Sequence, residues 1–197
     1  MNKAERTRQF IIEKSANIIN RKGMAGTSLS DIMEATKLAK GGIYGNFESK
    51  DEIYIESFTY LWESIASELD KVIMKGNTAK EKFFNFLDHY NLKSNNTMSM
   101  EGGCPMLNFG TESDDTHPLM KENVKKAIRE MQRKIFNVIS DGVANNELSS
   151  AINPKEFSIK VFALIEGGIL LRKVLESNSQ MNIIIENIKK EFEDYLM

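Results

Sequence analysis

The chain has 197 residues, of which 41% are hydrophobic and 27% charged, a balance typical of globular proteins rather than disordered or membrane proteins. A single cysteine, Cys104, excludes an internal disulfide framework, and no apolar run is long enough to cross a bilayer. Because the first residues are also polar, unlike a signal peptide, we expect a soluble cytoplasmic protein.

The formal net charge of −2 hides a difference between the two ends of the chain. Residues 1–47 contain eight lysines and arginines but four acids, which is a charge of +4, so residues 48–197 carry −6. A basic end on an acidic body suits a protein that presents one face to phosphate groups.

Apolar residues recur at helical spacing almost throughout, and three prolines and twelve glycines leave few breaks. The sequence therefore predicts an all-α protein of about nine helices. The first helix runs from about Lys3 to Lys22 and stops at Gly23, a common helix terminator.

Two short helices follow. Ser28 begins the second, with Asp31 as its capping-box partner. A turn at residues 36–38 leads to a third helix over residues 39–46. We expect the three helices to share a core that includes Ile43 and Phe47.

A long fourth helix begins at its cap Ser49 and carries an apolar stripe to about Lys75. A fifth helix follows with Phe83, Phe86, Leu87 and Tyr90. Residues 93–116 predict loops with one short helix over 106–110.

Three further helices complete the chain. The first runs from about Pro118 to residues 145–146, and the second starts at the cap and proline pair Asn153 and Pro154. The last helix starts at about Ser179.

The order of caps, glycines and aromatic residues in the first 58 residues is specific. It comprises Gly23, Thr27-Ser28-Leu29, Asp31-Ile32 and the run Lys40-Gly41-x-Ile43-Tyr44-x-Asn46-Phe47-x-Ser49-Lys50. This arrangement resembles the DNA-binding domain of TetR-family transcriptional regulators. The resemblance implies a helix-turn-helix DNA-binding domain over residues 1–48, which we call the head. It also implies a helical effector-binding and dimerisation domain over residues 49–197.

In a helix-turn-helix, the second helix enters the major groove and contacts base edges. By this resemblance we predict that seven residues contact DNA, through base edges or phosphates: Ser28, Lys40, Gly41, Gly42, Tyr44, Asn46 and Lys50. Lysine can donate to guanine or phosphate, the glycines allow close approach, and Tyr44 offers a hydroxyl and a ring.

Three residues depart from the family pattern. Lys37 stands where glycine is common, so a non-glycine residue has to adopt a positive φ. Ala39 replaces a serine cap, which costs about 1 kcal/mol, and Gly42 replaces a threonine or serine. We therefore predict a third helix that is loose until DNA orders it.

The resemblance places an effector pocket and a dimer interface in the second domain. The predicted pocket residues are Trp62, Phe86, Tyr90, Met100, Cys104, Met106, Phe109 and Phe136. Their apolar character favours a hydrophobic small molecule. The predicted dimer interface comprises Phe157, Val161, Leu164, Gly168, Leu171, Leu175, Ile188 and Phe192, although the stripe on the eighth helix equally fits intrachain core.

Two single residues have alternative interpretations. Cys104 lies in a glycine-cysteine segment that resembles one found in thiol-sensing relatives, but a small buried residue at a helix start explains it more simply. His117 near Asp114 and Asp115 fits a solvated acidic turn better than a metal site, so we expect neither metal nor cofactor.

The predicted function is that of a ligand-responsive repressor, which binds a palindromic operator in double-stranded DNA as a homodimer and leaves it when a small molecule binds. The alternatives are an activator or nucleoid-type protein without an effector, and an electrophile sensor that uses Cys104. A protein-interaction module would not explain Lys40 and Tyr44 in register with the caps. An enzyme is not expected, since no carboxylate pair, nucleophile with a base, or phosphate loop is present.

Overall fold

The computed structural model describes residues 2–91 and 102–197, and these residues form nine α-helices. The helices are α1 (Lys3–Lys22), α2 (Leu29–Thr36), α3 (Lys40–Tyr44), α4 (Lys50–Ile73), α5 (Ala79–Asn91), α6 (Pro105–Ser113), α7 (Pro118–Ala144), α8 (Pro154–Leu175) and α9 (Ser179–Glu193). The predicted all-α class is confirmed. Within the described ranges, no helix combines the length and hydropathy needed to span a membrane.

The described residues form two compact units. The first comprises residues 2–64 and 102–127, and the second comprises 65–91 and 128–197. The helices α4 and α7 each contribute residues to both units. The first unit contains α6 and part of α4 as well as α1–α3, so its limits do not coincide with the domain boundary predicted after residue 48. That boundary stays a prediction.

The third helix is shorter than predicted, since α3 covers five residues rather than 39–46. Ala39 occupies the N-cap without a side-chain hydrogen bond, and two glycines follow Lys40, so helix propensity is low at this end. Beyond Tyr44 the chain closes in turns in which Asn46 and Phe47 both donate to the Ile43 carbonyl.

The sixth helix is longer than predicted, because residues 111–113 are helical rather than part of a loop. The hydroxyl of Thr111 donates to the Leu107 carbonyl at 2.9 Å, so a residue that reads as a turn former is accommodated inside the helix. Ser113 is fully buried. The predicted loop residues 93–101 lie outside the described part of the chain.

The three N-terminal helices pack around buried side chains. These are Ile11, Ile12 and Ile19 of α1, Ile32 of α2, and Ile43 and Phe47. The burial of Ile43 and Phe47 confirms the core positions predicted for them. In the same unit, Phe58 of α4 packs against Phe109 of α6 with ring centroids 5.4 Å apart. The core of the first unit therefore extends continuously from α1 to α6.

The turn between α2 and α3 contains a residue in the left-handed region. Lys37 has φ 58° and ψ 23°, which confirms the positive φ predicted for it. A side chain with a Cβ in this conformation costs about 1–2 kcal/mol. The turn that leads into α3 is therefore strained.

The loop between α1 and α2 is held by a carboxylate from α6. Glu112 accepts the backbone N–H groups of Met24 and Ala25, each at 2.6 Å. Gly23 has φ 80°, and a Cβ atom there would lie 2.9 Å from Oε2 of Glu112. The loop that leads into α2 therefore depends on both the glycine and the acid.

A second contact joins the same two elements. The Asn108 amide of α6 donates to the Asn20 carbonyl at 3.0 Å and lies 2.9 Å from the Gly102 carbonyl. Asn20 in turn donates to the Gly103 carbonyl at 2.9 Å. Together with Glu112, these bonds connect α6 to the C-terminal end of α1.

The second unit has an aromatic core. The ring of Phe83 in α5 lies 4.7 Å from that of Phe192 in α9 and 5.7 Å from that of Phe157 in α8. Gly168 of α8 allows α9 to approach closely, because a Cβ atom there would lie 2.8 Å from the Met181 side chain. The last two helices thus pack against each other through one face of α8.

Replacing Lys37 with Gly should slow amide hydrogen exchange in residues 40–44 severalfold. The replacement removes the steric cost of φ 58°, and glycine's larger entropy in the unfolded state offsets part of that gain. The net stabilisation of the turn should be about 0.5–1 kcal/mol. Lys37→Ala is the matched control, since it loses the same charge and keeps the Cβ atom. Equal exchange rates in the two variants would contradict the strained turn.

Replacing Glu112 with Ala should speed amide exchange in residues 23–27 and lower stability by about 2 kcal/mol, because two charge-assisted hydrogen bonds are lost. Glu112→Gln, which keeps a neutral acceptor, should have an intermediate effect. Asp115→Ala, at an exposed position nearby, should have none. Unchanged exchange in Glu112→Ala would show that α6 does not order this loop.

Candidate nucleic-acid interface

The short helix α3 presents most of its side chains to solvent. Lys40, Gly41, Gly42 and Tyr44 are exposed, and Tyr44 retains 39% of its accessible surface. The Lys40 ammonium lies 5.8 Å from the centre of the Tyr44 ring. A Cβ atom at Gly41 would meet nothing within 4 Å, so the backbone there is open to close approach. The remaining residue, Ile43, is fully buried and anchors the helix.

The orientation of this surface depends on Arg8 of α1. Its guanidinium lies 4.2 Å from the centre of the Phe47 ring and donates to the Asn46 carbonyl. It also pairs with Glu52 and Glu56 of α4, with 3.0 Å between Nε and Oε2 of Glu56. The hydrogen bonds that Arg8 makes to Glu56 and, to a smaller extent, to Glu52 raise the pKa of Arg8. The hydrogen bond from the guanidinium lowers the pKa of Glu52. One side chain thus joins α1, the segment after α3, and α4.

The start of α4 is capped as the sequence predicts. The Ser49 hydroxyl accepts the Glu52 N–H at 3.1 Å. The Glu52 carboxylate accepts the N–H of Glu48, at 2.6 Å, rather than that of Ser49. The cap is therefore confirmed, with its reciprocal bond displaced by one residue.

Lys50, predicted to contact DNA, has partners within the chain. Its ammonium donates to the Thr27 carbonyl at 3.2 Å and lies 5.1 Å from the ring centre of Tyr54. The Tyr54 hydroxyl lies 2.6 Å from the Met24 carbonyl and 2.8 Å from that of Thr27, and burial raises its pKa. Lys50 therefore helps to fix the loop before α2, and its phosphate contact stays a prediction.

Ser28 and Asn46 are also engaged in local hydrogen bonds. The Ser28 hydroxyl donates to Asp31 at 2.6 Å and accepts the Asp31 N–H at 3.1 Å, which confirms the capping box. Asp31 also pairs with Lys22 at 2.5 Å, and hydrogen bonds from Lys22 and Ser28 lower its pKa. Asn46 donates its amide to the Gly42 carbonyl at 2.8 Å. A phosphate at Ser28 would therefore compete with Asp31.

The residues predicted to line an effector pocket are divided between the two units. Buried in the first unit are Trp62, Cys104, Met106 and Phe109. Buried in the second are Phe86 and Tyr90. Phe136 keeps 36% of its surface exposed on α7, which disfavours a place in a closed pocket, and Met100 lies outside the described residues.

Cys104 and His117 occupy helix starts. Cys104 is the N-cap of α6 and is 2% exposed, as expected for a small buried residue. His117 accepts the Met120 N–H at Nδ1, at 3.1 Å, and its Nε2 lies 3.8 Å from a carboxylate oxygen of Asp51. Within the described ranges, no group of three or more His, Cys, Asp or Glu side chains could hold a metal ion.

The predicted dimer residues lie on two different faces of α8 and α9. Phe157, Val161, Gly168, Ile188 and Phe192 are buried within the second unit, because the apolar stripe through them packs α8 and α9 together. Leu164, Leu171 and Leu175 are 39–51% exposed. Other exposed apolar residues on these helices are Ile159, Leu170, Val174 and Ile183.

Sequence reasoning did not identify Arg8, Tyr54 and Glu112 as the residues that position the head. For Arg8 a signal existed, since Glu52 and Glu56 are four residues apart on one face of α4 and require a cation between them. Nothing in the local pattern identifies Glu112, because its partners are backbone groups 87 and 88 residues away in sequence.

Comparison with known proteins agrees with this geometry. Residues 11–56 match the family model of bacterial regulatory proteins of the tetR family, and residues 79–188 match that of the tetracyclin repressor-like C-terminal domain. The transcriptional repressor DhaR of a Mycobacterium species is 22% identical, over 85% of this chain and 82% of its own.

Two crystal structures of TetR-family regulators have the same fold over the whole chain. One, from Cytophaga hutchinsonii, is 33% identical with a TM-score of 0.94, covering 100% of this chain and 98% of that one. Another, from Chloroflexus aurantiacus, is 30% identical with a TM-score of 0.93 and the same coverage. The chain therefore belongs to the TetR family of DNA-binding transcriptional regulators.

Proposed function

We propose that the protein is a cytoplasmic repressor that binds a palindromic operator as a homodimer and leaves it when a small hydrophobic molecule binds. The observation that carries this proposal is the exposed face of α3, with Lys40 and Tyr44 outward and Ile43 buried. This helix follows α2 and a turn, the order in which a helix-turn-helix presents its second helix to the major groove.

The chemistry of α3 suits a combination of base and backbone contacts. Lys40 can donate to guanine N7 and O6 or to a phosphate, and Tyr44 offers a hydroxyl to phosphate and a ring to thymine methyl groups. The two glycines contribute no side chain, so the backbone itself can come close to the groove. Because Arg8 fixes the segment after α3, DNA meets a surface that is partly preorganised.

An exposed apolar stripe supports dimerisation. On α8, Leu164, Gly167, Leu171 and Val174 are spaced by three or four residues and share one exposed face. Val174 is 68% exposed, and a Cβ atom at Gly167 would meet nothing within 4 Å, so a second helix could approach closely. A two-fold axis through this stripe pairs two heads and requires a palindromic site.

Release by a ligand would act through α6. Glu112 and Asn108 bind the loop before α2 and the end of α1, so a displacement of α6 changes the position from which α2 and α3 meet DNA. Three predicted pocket residues, Cys104, Met106 and Phe109, belong to α6 or its cap. A ligand that binds more tightly when α6 is displaced than when α6 is in its observed position favours the displaced state and so lowers operator affinity. The size of the effect is set by the difference between its affinities for the two states.

Replacing Lys40 or Tyr44 with Ala should weaken binding to the operator without unfolding the protein, because both side chains are exposed. Lys40→Ala should also reduce the slope of log K against log salt by about 0.9 per head if the lysine neutralises one phosphate. Fluorescence anisotropy with a labelled operator at several salt concentrations measures both effects. Lys75→Ala, which removes an exposed lysine at the end of α4, is the control. If Lys40→Ala and Tyr44→Ala both bind the operator as tightly as the parental protein, α3 does not dock on DNA.

Replacing Leu171 and Val174 together with Glu should convert the dimer into a folded monomer, because charges would face each other across the α8 stripe. Sedimentation equilibrium should report the halved mass, with unchanged helical circular dichroism. Met74→Glu is the control, since Met74 is 80% exposed at the end of α4. A double variant that stays dimeric would show that another surface pairs the subunits.

A further inference from the structure

A cleft beside α3 has no role in the function derived so far. It is a surface cavity of about 520 Å³ lined by Lys3, Arg6, Thr7 and Phe10 of α1 and by Leu38 of the turn before α3. We call this cavity the α1 cleft. Lys3, Arg6 and Phe10 are separated by three and four residues, so they lie along one face of α1.

The α1 cleft contains two cations that have no acidic partner among the residues that the structure describes. Lys3 and Arg6 are exposed, and no carboxylate among the described residues lies within ion-pair distance of either. Two other cations of α1 differ, since Arg8 pairs with two glutamates and Lys22 with Asp31. Positive charge that is not neutralised within the chain is available to an anionic partner.

The floor of the cleft is apolar. Phe10 keeps 38% of its surface exposed, whereas Ile11, Ile12 and Ile19 of the same helix are buried. The Lys14 ammonium lies 5.9 Å from the centre of the Phe10 ring and extends the basic face by one turn. Cations beside an exposed ring match a partner that alternates phosphate groups with the apolar surface of a sugar.

The α1 cleft is continuous with the DNA-docking surface. Leu38 forms one wall of the cleft, and its Cβ is the nearest neighbour, at 3.5 Å, of a Cβ atom built at Gly42. Lys40 follows two residues later. A duplex that lies along α3 therefore extends toward Lys3 and Arg6.

We propose that the α1 cleft is a second DNA contact, which binds the sugar–phosphate backbone next to the bases that α3 contacts. Lys3 and Arg6 bind the phosphates, and Phe10 with Leu38 packs against deoxyribose. Each head then occupies a longer stretch of duplex than the helix-turn-helix alone covers. This inference rests on the proposed operator binding, and it adds affinity without reading bases.

The charge distribution favours DNA over an acidic protein or a membrane. Residues 1–47 carry +4 and residues 48–197 carry −6, so electrostatics favours an anionic partner at the basic end of the chain. At that end α3 already directs a duplex across the cleft. An anionic membrane would have to bind the same cations without the orientation that α3 gives to DNA.

The test compares two operator duplexes selected with the full-length protein. One ends at the edge of each half-site, and the other continues for about half a helical turn beyond it. The parental protein should bind the longer duplex about tenfold more tightly at moderate salt. The variant Lys3→Gln/Arg6→Gln should bind both equally, and its salt slope on the longer duplex should fall by up to about two per head.

The matched control is Lys126→Gln/Arg129→Gln, which removes two exposed positive charges from α7 and should keep the preference for the longer duplex. A cleft variant that keeps this preference, or that weakens binding to both duplexes equally, overturns the second contact. If the cleft variant binds DNA as the parental protein does but no longer binds phosphatidylglycerol vesicles, the cleft contacts a membrane and the second DNA contact is overturned. A parental protein that binds no selected duplex instead refutes the proposed function itself.

Discussion

The contacts of the Arg8 guanidinium are the interactions on which the surface proposed to bind DNA depends. The guanidinium lies over the ring of Phe47 and donates to Glu52 and Glu56 of α4 and to the carbonyl of Asn46. The five-residue α3 has few internal hydrogen bonds and an uncapped start, so its position must come from its surroundings. Removing Arg8 would leave two glutamates with like charge four residues apart, and the segment after α3 without its anchor.

The helix α1 serves three purposes from different faces. Its buried face supplies isoleucines to the core, and Arg8 fixes the segment that follows α3. The face with Lys3 and Arg6 is free of acidic partners among the described residues, which is why we assign DNA backbone to it. At its C-terminal end, Asn20 binds Asn108 of α6. A change at α6 therefore reaches the same helix that orients α3.

Much of the architecture could be predicted because it follows local rules. Helical periodicity, the caps Ser28, Ser49 and Asn153, and the terminator Gly23 predict correct helix starts and ends. The positive φ of Lys37 instead followed from the family resemblance, in which glycine is common at this position. Periodicity does not reveal which partner covers an apolar face. From sequence, the stripe through Phe157 and Val161 therefore fits both a dimer surface and intrachain core, and only the folded chain shows these two residues buried within the second unit.

The candidate site was less predictable where partners are distant in sequence. Lys50 is a plausible phosphate ligand from its position, yet its ammonium donates to the Thr27 carbonyl, 23 residues away. Glu112 falls in a segment whose composition predicts a loop, and only tertiary structure brings it to the N–H groups of Met24 and Ala25. Motifs thus predict α3 as the surface that contacts DNA, while the groups that position α3 become evident from the folded chain.

Selection of bound duplexes from random DNA by the full-length protein tests the central claim most directly. Two heads related by a two-fold axis should enrich a palindrome whose half-sites are separated by a fixed number of base pairs. Enrichment of an asymmetric single half-site, or none above the input library, would contradict the account of a dimer that docks through α3.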